Sequence, residues 1–130
     1  MDQITNKRIM IVGRDANFSY LLQRFVRTSD HQVITANPSD DVVSLARCEK
    51  PVAIVLEVDT PGTMGWLALR TLKSASEVNQ IPVMLCSWLD ESARGQSEGA
   101  DAYLRMPILY EEFSTVLTAI LSKDKNEQNP

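Results

Sequence analysis

Short apolar segments alternate with amphipathic stretches along the whole chain. Five segments, mostly apolar and bounded by turn or polar residues, are predicted as strands. They cover residues 9–12, 32–35, 52–56, 82–86 and 102–104. The stretches between them repeat apolar residues every three or four positions, which predicts helices with one buried face. The clearest example is the set Phe18, Leu21, Leu22, Phe25 and Val26. This alternation predicts a parallel sheet with right-handed crossovers and helices on both of its faces.

The pattern also gives approximate helix boundaries. The second helix is expected to begin near Pro38, with Ser39 as its N-cap and acidic residues in its first turn. The third and fourth helices are predicted over about 64–75 and 89–96, and the apolar stripe of the fifth ends at Leu121. We therefore predict one domain over residues 7–122. Residues 123–130 are polar and are expected to form a C-terminal tail or the start of a linker.

Composition narrows the classes of function. The chain has 130 residues, the usual size of one domain, and its net charge of -4 disfavours binding to nucleic acid or to an anionic membrane surface. Its two cysteines, Cys48 and Cys86, are not in a C-x-x-C pair and are expected to be free thiols. No apolar run is long enough to span a membrane and the N-terminus lacks a signal-peptide pattern, so we expect a cytoplasmic protein.

Parallel α/β sheets carry their functional sites where the strands end at their carboxyl edge. The residues at those positions are the candidates for function, and they are Gly13, Arg14, Asp15, Glu57, Val58, Asp59, Ser87, Trp88, Arg105, Met106 and Pro107. Three other signals are weak. His31 has no second ligand at metal-binding spacing, Ser87 lacks a G-x-S-x-G frame, and Gly13 is not part of a dinucleotide-binding glycine motif.

Four segments in order resemble the receiver domain of two-component response regulators, the CheY-like family. They are the strand over 9–12 with its polar loop, the loop over 56–66 with its Pro61 and Gly65, the strand over 81–87 that ends in Ser87, and the segment over 99–107. The likeness extends from about residue 7 to residue 121. It implies a flavodoxin-like (βα)5 three-layer sandwich, whose five-stranded parallel sheet has the order 2-1-3-4-5.

In the family, an Asp after the third strand accepts a phosphoryl group from a histidine kinase, two acids after the first strand bind Mg²⁺, and a Lys after the fifth strand pairs with the phosphoryl oxygens. The resemblance places the acceptor at Glu57 and the lysine at Met106. The acidic pocket falls on Gly13 and Arg14, with Asp15 beside them. These departures predict a degenerate receiver with no cofactor and with doubtful Mg²⁺ binding.

The remaining family positions match. Ser87 corresponds to the switch hydroxyl, Tyr103 to the switch aromatic, and Pro107 to the Pro that follows the lysine. Trp88 and Tyr103 are candidates for a partner-binding face made by the fourth helix, fifth strand and fifth helix, because aromatic residues are favoured at interface hot spots. Trp66 is expected to be half exposed beside the site.

Two hypotheses concern charge. Arg14 either holds the Glu57 carboxylate with its guanidinium, in place of the metal, or extends into solvent. Glu57 either loosely mimics a phosphorylated Asp or reflects drift at an abandoned site with local charge balance, and drift is favoured because the lysine position is Met106.

The sequence predicts a receiver-like signalling module, not an enzyme, that acts by phosphorylation-independent binding to another protein. The resemblance suggests a histidine kinase or an output domain as the partner, and allows a homodimer through the face defined above. The alternative is a working receiver that accepts a phosphoryl group at Glu57 or Asp59. A third hypothesis is a small-molecule binder that uses the crevice at the strand ends. Whether the chain is complete or part of a larger regulator stays open.

Overall fold

The structure is a computed structural model that describes residues 7–58 and 64–127, with side chains described as far as residue 122. Strands and helices alternate in it as the pattern predicts. In chain order they are β1 (Arg8–Val12), α1 (Ala16–Thr28), β2 (Gln32–Ala36), α2 (Val42–Glu49), β3 (Ala53–Glu57), α3 (Met64–Ser74), β4 (Val83–Ser87), α4 (Ser92–Ser97), β5 (Ala102–Arg105) and α5 (Tyr110–Glu127). In the described part of the chain, no helix is both long and apolar enough to cross a membrane.

The five strands form one parallel sheet in the order β2-β1-β3-β4-β5. This confirms the predicted flavodoxin-like fold. Because side chains alternate across a strand, Met10 and Val12 contribute to a core under α2 and α3, while Ile9 and Ile11 contribute to a second core under α1 and α5. The central strand β3 is buried at every position, including the acidic Glu57. The sheet therefore forms the middle of three layers and brings its carboxyl edge together at one end.

Two strand ends differ from the predicted boundaries, and both differences concern the site. Strand β3 extends through Glu57 and β4 extends through Ser87, so both residues are the last members of strands rather than loop residues. Each is held in the parallel ladder, where Glu57 lies opposite Cys86. Backbone positions in a paired strand are better fixed than positions in a loop. The orientation of both side chains is therefore set by the sheet itself.

The predicted N-cap of α2 is wrong. Asp41, not Ser39, caps the helix, and its carboxylate accepts a hydrogen bond from the Ser44 N–H at 3.1 Å. The Ser44 hydroxyl also donates to this carboxylate at 2.8 Å, and both bonds lower the pKa of Asp41. Ser39 instead bonds Asn37 in the preceding turn, which makes its hydroxyl unavailable for the helix.

The last two helices also differ from their predicted limits. Helix α4 begins only at Ser92, which leaves Trp88 and Leu89 in the loop after β4. Helix α5 continues to Glu127, beyond the predicted domain boundary at residue 122. The assignment of residues 123–130 to a tail or a linker stays a prediction.

Candidate functional site

The site is built around the Glu57 carboxylate at the end of β3. Glu57 is only 5% exposed. Its Oε1 accepts hydrogen bonds from two successive backbone N–H groups of the β1–α1 loop, from Arg14 at 2.9 Å and from Asp15 at 3.2 Å. Backbone N–H groups that converge on one oxygen stabilise a carboxylate that would otherwise be costly to bury. The loop after β1 therefore holds Glu57 by its main chain.

Gly13 and Glu57 fit each other. A Cβ atom at position 13 would lie 2.9 Å from the Glu57 Oε1 and 2.8 Å from Cδ2 of the buried Phe18 ring. Both distances are shorter than carbon atoms tolerate, so only glycine leaves room for the carboxylate in its observed position. The longer side chain of Glu57 occupies space that an acidic residue at position 13 would need for itself.

The predicted bond from the Arg14 guanidinium to Glu57 is wrong. Arg14 is exposed, and among the ion pairs of the described residues there is none that joins these two side chains. The contact is made by the Arg14 backbone N–H instead, because the turn after β1 directs its main chain inward and leaves the side chain in solvent. The alternative that the sequence left open is the one observed.

Asp15 has a structural role. It is the N-cap of α1, and its carboxylate accepts from the Phe18 N–H at 3.2 Å. Such a cap typically stabilises a helix by ~1 kcal/mol. The side chain that most resembled a remaining metal ligand is thus bonded to the helix that follows.

Ser87 and Met106 lie on the neighbouring strands. Ser87 is 6% exposed, and its Oγ accepts from the Leu89 N–H at 3.1 Å, which closes the turn after β4. The Ser87 carbonyl accepts from the Met106 N–H at 2.8 Å and so ties the two strand ends together. The Met106 side chain packs partly buried against the core under α1 and α5. No cation stands at the position where the family has a lysine.

Tyr103 is held beneath α4. A Cβ at Gly95 would lie 2.6 Å from the Tyr103 Cε1, so this glycine allows the ring to pack directly under the helix. The Tyr103 hydroxyl donates to the Ala100 carbonyl at 3.3 Å. Burial, and then the charge of Asp101, raise the pKa of Tyr103. Gly95 was missed in the sequence, although a glycine inside a predicted helix is a signal that something packs closely there.

The two tryptophans behave in opposite ways. Trp88 is 57% exposed in the loop after β4, beside Leu89, which is 49% exposed. Trp66 is only 2% exposed, so the expectation of a half-exposed Trp66 is wrong. The Arg94 guanidinium carbon lies 3.9 Å above the centre of the Trp66 ring, a cation–π contact that covers it from solvent. Trp88, and not Trp66, is the tryptophan available to a partner.

The residues present do not fit a magnesium site. Gly13 supplies no ligand, the Arg14 side chain is an exposed cation, Asp15 caps α1, and Glu57 accepts two N–H bonds. Over residues 7–58 and 64–122, no three His, Cys, Asp or Glu side chains lie close enough together to hold a metal ion. Asp59, named above as an alternative acceptor, lies outside the described residues.

A small cavity of about 140 Å³ opens between the loop after β4 and β5. Its lining includes Ser87, Asp90, Tyr103 and Arg105. Pockets for drug-sized ligands usually measure ~300 Å³ or more. The Asp90 carboxylate accepts from the Ser92 hydroxyl at 2.8 Å and the Arg105 Nε donates to the Trp88 carbonyl at 3.2 Å, so these groups serve the loop itself. The cavity gives the small-molecule hypothesis no support.

The two thiols are expected to react at very different rates. Both cysteines are free, Cys48 exposed and Cys86 buried in β4. Burial, and then the nearby charge of Glu57, raise the pKa of the Cys86 thiol well above its usual range, and the thiolate is the reactive form. We expect a thiol-specific chromogenic reagent to label Cys48 in the native protein and to reach Cys86 only on unfolding. A Cys48→Ser variant that still reacts quickly in its native state would contradict this placement.

Comparison with known proteins was made by sequence and by structure. No family model matches the chain. It is 32% identical over 118 residues to the protein PilH of Pseudomonas aeruginosa, an alignment that covers 88% of this chain and 98% of PilH. It is 28% identical to the transcriptional regulatory protein PrrA of Mycobacterium tuberculosis over 92% of this chain, and it spans 52% of that longer protein. The crystal structure of a response-regulator signal receiver domain from Bermanella marisrubri superposes with a TM-score of 0.78 at 24% identity, and covers 90% of this chain and 99% of that domain.

Proposed function

The chain belongs to the receiver-domain family of response regulators in two-component signalling, and on that premise we propose that it signals by binding another protein without being phosphorylated. The observation that carries the proposal is the buried Glu57 carboxylate, held by the N–H groups of Arg14 and Asp15. An acceptor must present its carboxylate oxygen to a phosphodonor in line. At Glu57 the side chain is directed back against the β1–α1 loop and packed beside Gly13.

The balance of charge around Glu57 supports the same proposal. Phosphoryl transfer depends on positioning and on cations that stabilise the developing negative charge. The family supplies these cations as Mg²⁺ and a lysine. Here the lysine position is the apolar Met106, and the Arg14 guanidinium lies in solvent. A carboxylate with neither cation in place has little to drive its reaction with a phosphodonor.

The surface beside the site supports protein binding. Trp88 and Leu89 are exposed next to β5, and Leu109 before α5 is 65% exposed. Large apolar side chains exposed close together are typical of contact surfaces. We propose that the α4–β5–α5 face binds the partner, a histidine kinase or an output domain, or a second copy of the chain. The partly buried Tyr103 would support this face from beneath rather than contact the partner.

The rival function is a working receiver with its acceptor at Glu57 or Asp59. Asp59 follows Glu57 by two residues in the sequence, and a carboxylate there could accept a phosphoryl group only if the loop brought cations to it. Chemistry separates the two functions directly, because a phosphoryl group on either residue changes the mass of the intact chain.

We expect no phospho-adduct when the protein is incubated with Mg²⁺ and acetyl phosphate and examined by intact mass spectrometry. The reason is that the Glu57 carboxylate is already bonded and that its longer side chain displaces it by roughly an ångström, a shift that can cost ~100-fold in rate. A functional receiver domain treated in parallel shows that the donor is active.

Two variants make the result specific. Glu57→Gln keeps the size of the side chain and removes the acceptor oxygen, and Asp59→Asn does the same at the rival position. An adduct on the unmodified protein that disappears in either variant would overturn the proposed function and would identify the acceptor at the same time.

A further inference from the structure

Helix α1 presents an unusual outer face. Asn17, Tyr20, Arg24 and Arg27 are exposed at helical spacing, and exposed Arg14 precedes them by three positions. The thirteen residues of the helix contain no acidic side chain, although the chain as a whole has a net charge of -4. We define Arg14, Tyr20, Arg24 and Arg27 as the α1 basic face. It is a local excess of positive charge on an acidic protein.

The three arginines of the α1 basic face lack anionic partners. Within residues 7–58 and 64–122, none of the three forms an ion pair with a carboxylate. Arg24 lies over the ring of Tyr20, with its guanidinium carbon 6.0 Å from the ring centre, and Arg27 bonds only the neutral Gln23 side chain at 3.4 Å. Their charges are therefore not neutralised within the described structure.

Other basic side chains of the described structure differ in this respect. Six of them form ion pairs, namely Lys7, Arg8, Arg47, Arg70, Lys73 and Arg94. Some of these pairs join separate elements, as Lys73 does when it bonds Asp101 at 2.8 Å. Uncompensated cations thus concentrate on one helix face, where three of them flank a single aromatic ring.

Tyr20 gives this face a possible anchor for binding. Its side chain is 64% exposed, an unusual exposure for a large aromatic that packs against no core. Tyr and Arg are the residue types most enriched at interface hot spots, since they combine large contact area with directional polar groups. Arg also binds carboxylates with two parallel hydrogen bonds. The composition of the face fits a carboxylate-rich protein surface.

We propose that the α1 basic face docks an acidic segment of a partner protein, with Glu or Asp side chains on Arg14, Arg24 and Arg27 and with an apolar side chain against Tyr20. Helix α1 is about 20 Å long, which accommodates a partner helix of three to four turns lying along it. This inference goes beyond the proposed function, because the face is remote from the Glu57 carboxylate and does not require its chemistry.

A protein partner fits better than a nucleic acid or a membrane. Binding to a phosphate backbone or to anionic lipid depends on many basic side chains and on a favourable overall charge. Three arginines on a chain of net charge -4 give neither. A short acidic segment contacts only the local positive face and avoids the repulsion from the rest of the molecule.

The test uses two synthetic helical peptides of equal length that differ only in charge. One carries Glu beside an apolar stripe and the other carries Gln at the same positions. Binding of each fluorescent peptide to the full chain is measured by anisotropy at low and at physiological salt, without a phosphodonor. We expect the Glu peptide to bind at least tenfold more tightly than the Gln peptide, and this difference to decrease with salt.

Variants locate the binding surface. The triple change Arg14→Gln, Arg24→Gln and Arg27→Gln is expected to weaken binding of the Glu peptide roughly tenfold, since each exposed pair contributes modestly. Tyr20→Ala is expected to weaken binding of both peptides. Arg47→Gln is the matched control, because Arg47 is an exposed helical arginine on α2 that already has Glu77 as its partner.

Three outcomes would overturn the inference. They are equal binding of the two peptides, an unchanged affinity in the triple variant, and a preference for a DNA duplex or phosphatidylserine vesicles over the Glu peptide in the same titration. None of them depends on acetyl phosphate. A failure here leaves the proposed function standing, and a phospho-adduct at Glu57 leaves this inference standing.

Discussion

Four substitutions made together, Gly13→Asp, Arg14→Asp, Glu57→Asp and Met106→Lys, are expected to convert the chain into a phosphoryl acceptor. They restore the acidic pair, the shorter acceptor and the lysine on a backbone that already has the receiver topology. The expected result is an adduct of one phosphoryl group after incubation with acetyl phosphate and Mg²⁺. It should form at least ~100-fold faster than any reaction of the unmodified chain, which is the scale of rate lost by misplacing an acceptor.

The substitutions are expected to depend on one another. Gly13→Asp alone places a Cβ within 3 Å of both the Glu57 Oε1 and the Phe18 ring and adds a second carboxylate beside the first. Overpacking of this kind costs ~1–3 kcal/mol in the free energy of unfolding. Glu57→Asp shortens the side chain and should recover part of that loss. A double-mutant cycle in urea measures the coupling between the two positions.

The control for the rebuilt site is the same set of changes with Glu57→Asn in place of Glu57→Asp. It has the same shape and fold but no acceptor carboxylate, so it should remain unmodified. If the rebuilt chain folds as judged by its circular dichroism and still forms no adduct, the lost residues do not explain the lost chemistry. The proposal would then need another cause, such as the conformation of the loop over residues 59–63.

The architecture could be predicted from the sequence because hydrophobic periodicity determines which face of each element is buried. The run over residues 53–57 illustrates the principle. Its uninterrupted apolar character predicts a strand covered on both faces, and β3 is buried at every position. The strand order came from the resemblance and not from periodicity, since several orders satisfy the same alternation of strands and helices.

The site could be located but not built from the sequence. Glu57, Ser87, Tyr103 and Met106 were found because the strand-end rule and the resemblance both indicate positions along the chain. The way in which Glu57 is held could not be found, because its partners are the backbone N–H groups of residues 14 and 15, which every sequence except one with proline would offer. Side-chain chemistry suggested the Arg14 guanidinium, and the direction of the turn decided otherwise.

Close approaches of backbone were the other feature beyond the reach of sequence patterns. Gly13, Gly65 and Gly95 each touch a functional side chain or strand, yet a glycine in a sequence does not say what lies beside it. Exposure was equally hard to predict for aromatic residues. Trp66 is covered by Arg94 of the next helix, a contact between residues that are 28 positions apart.

Gly65 marks the closest of these approaches. It lies in the first turn of α3, where a Cβ would be 2.6 Å from the backbone carbonyl oxygen of Glu57 and 3.1 Å from the Cα of Val58. Both neighbours are main-chain atoms at the end of the central strand, so neither can rotate away. Helix α3 can therefore approach the strand that carries the acceptor position only because residue 65 has no side chain.

Gly65→Ala is expected to lower the free energy of unfolding by about 3 kcal/mol, the upper part of the range for overpacking, despite the better helix propensity of alanine. The clash has to be relieved by moving α3 or the end of β3, and either movement disturbs the core around Leu69 and Leu72. Urea denaturation measures the effect as a lower midpoint with an unchanged slope. Leu67→Ala is the matched control, since Leu67 lies two residues further along the same helix and is 57% exposed. If both variants unfold at the same urea concentration, or if Gly65→Ala is the more stable one, helix propensity outweighs the contact and α3 does not press on the Glu57 carbonyl as described.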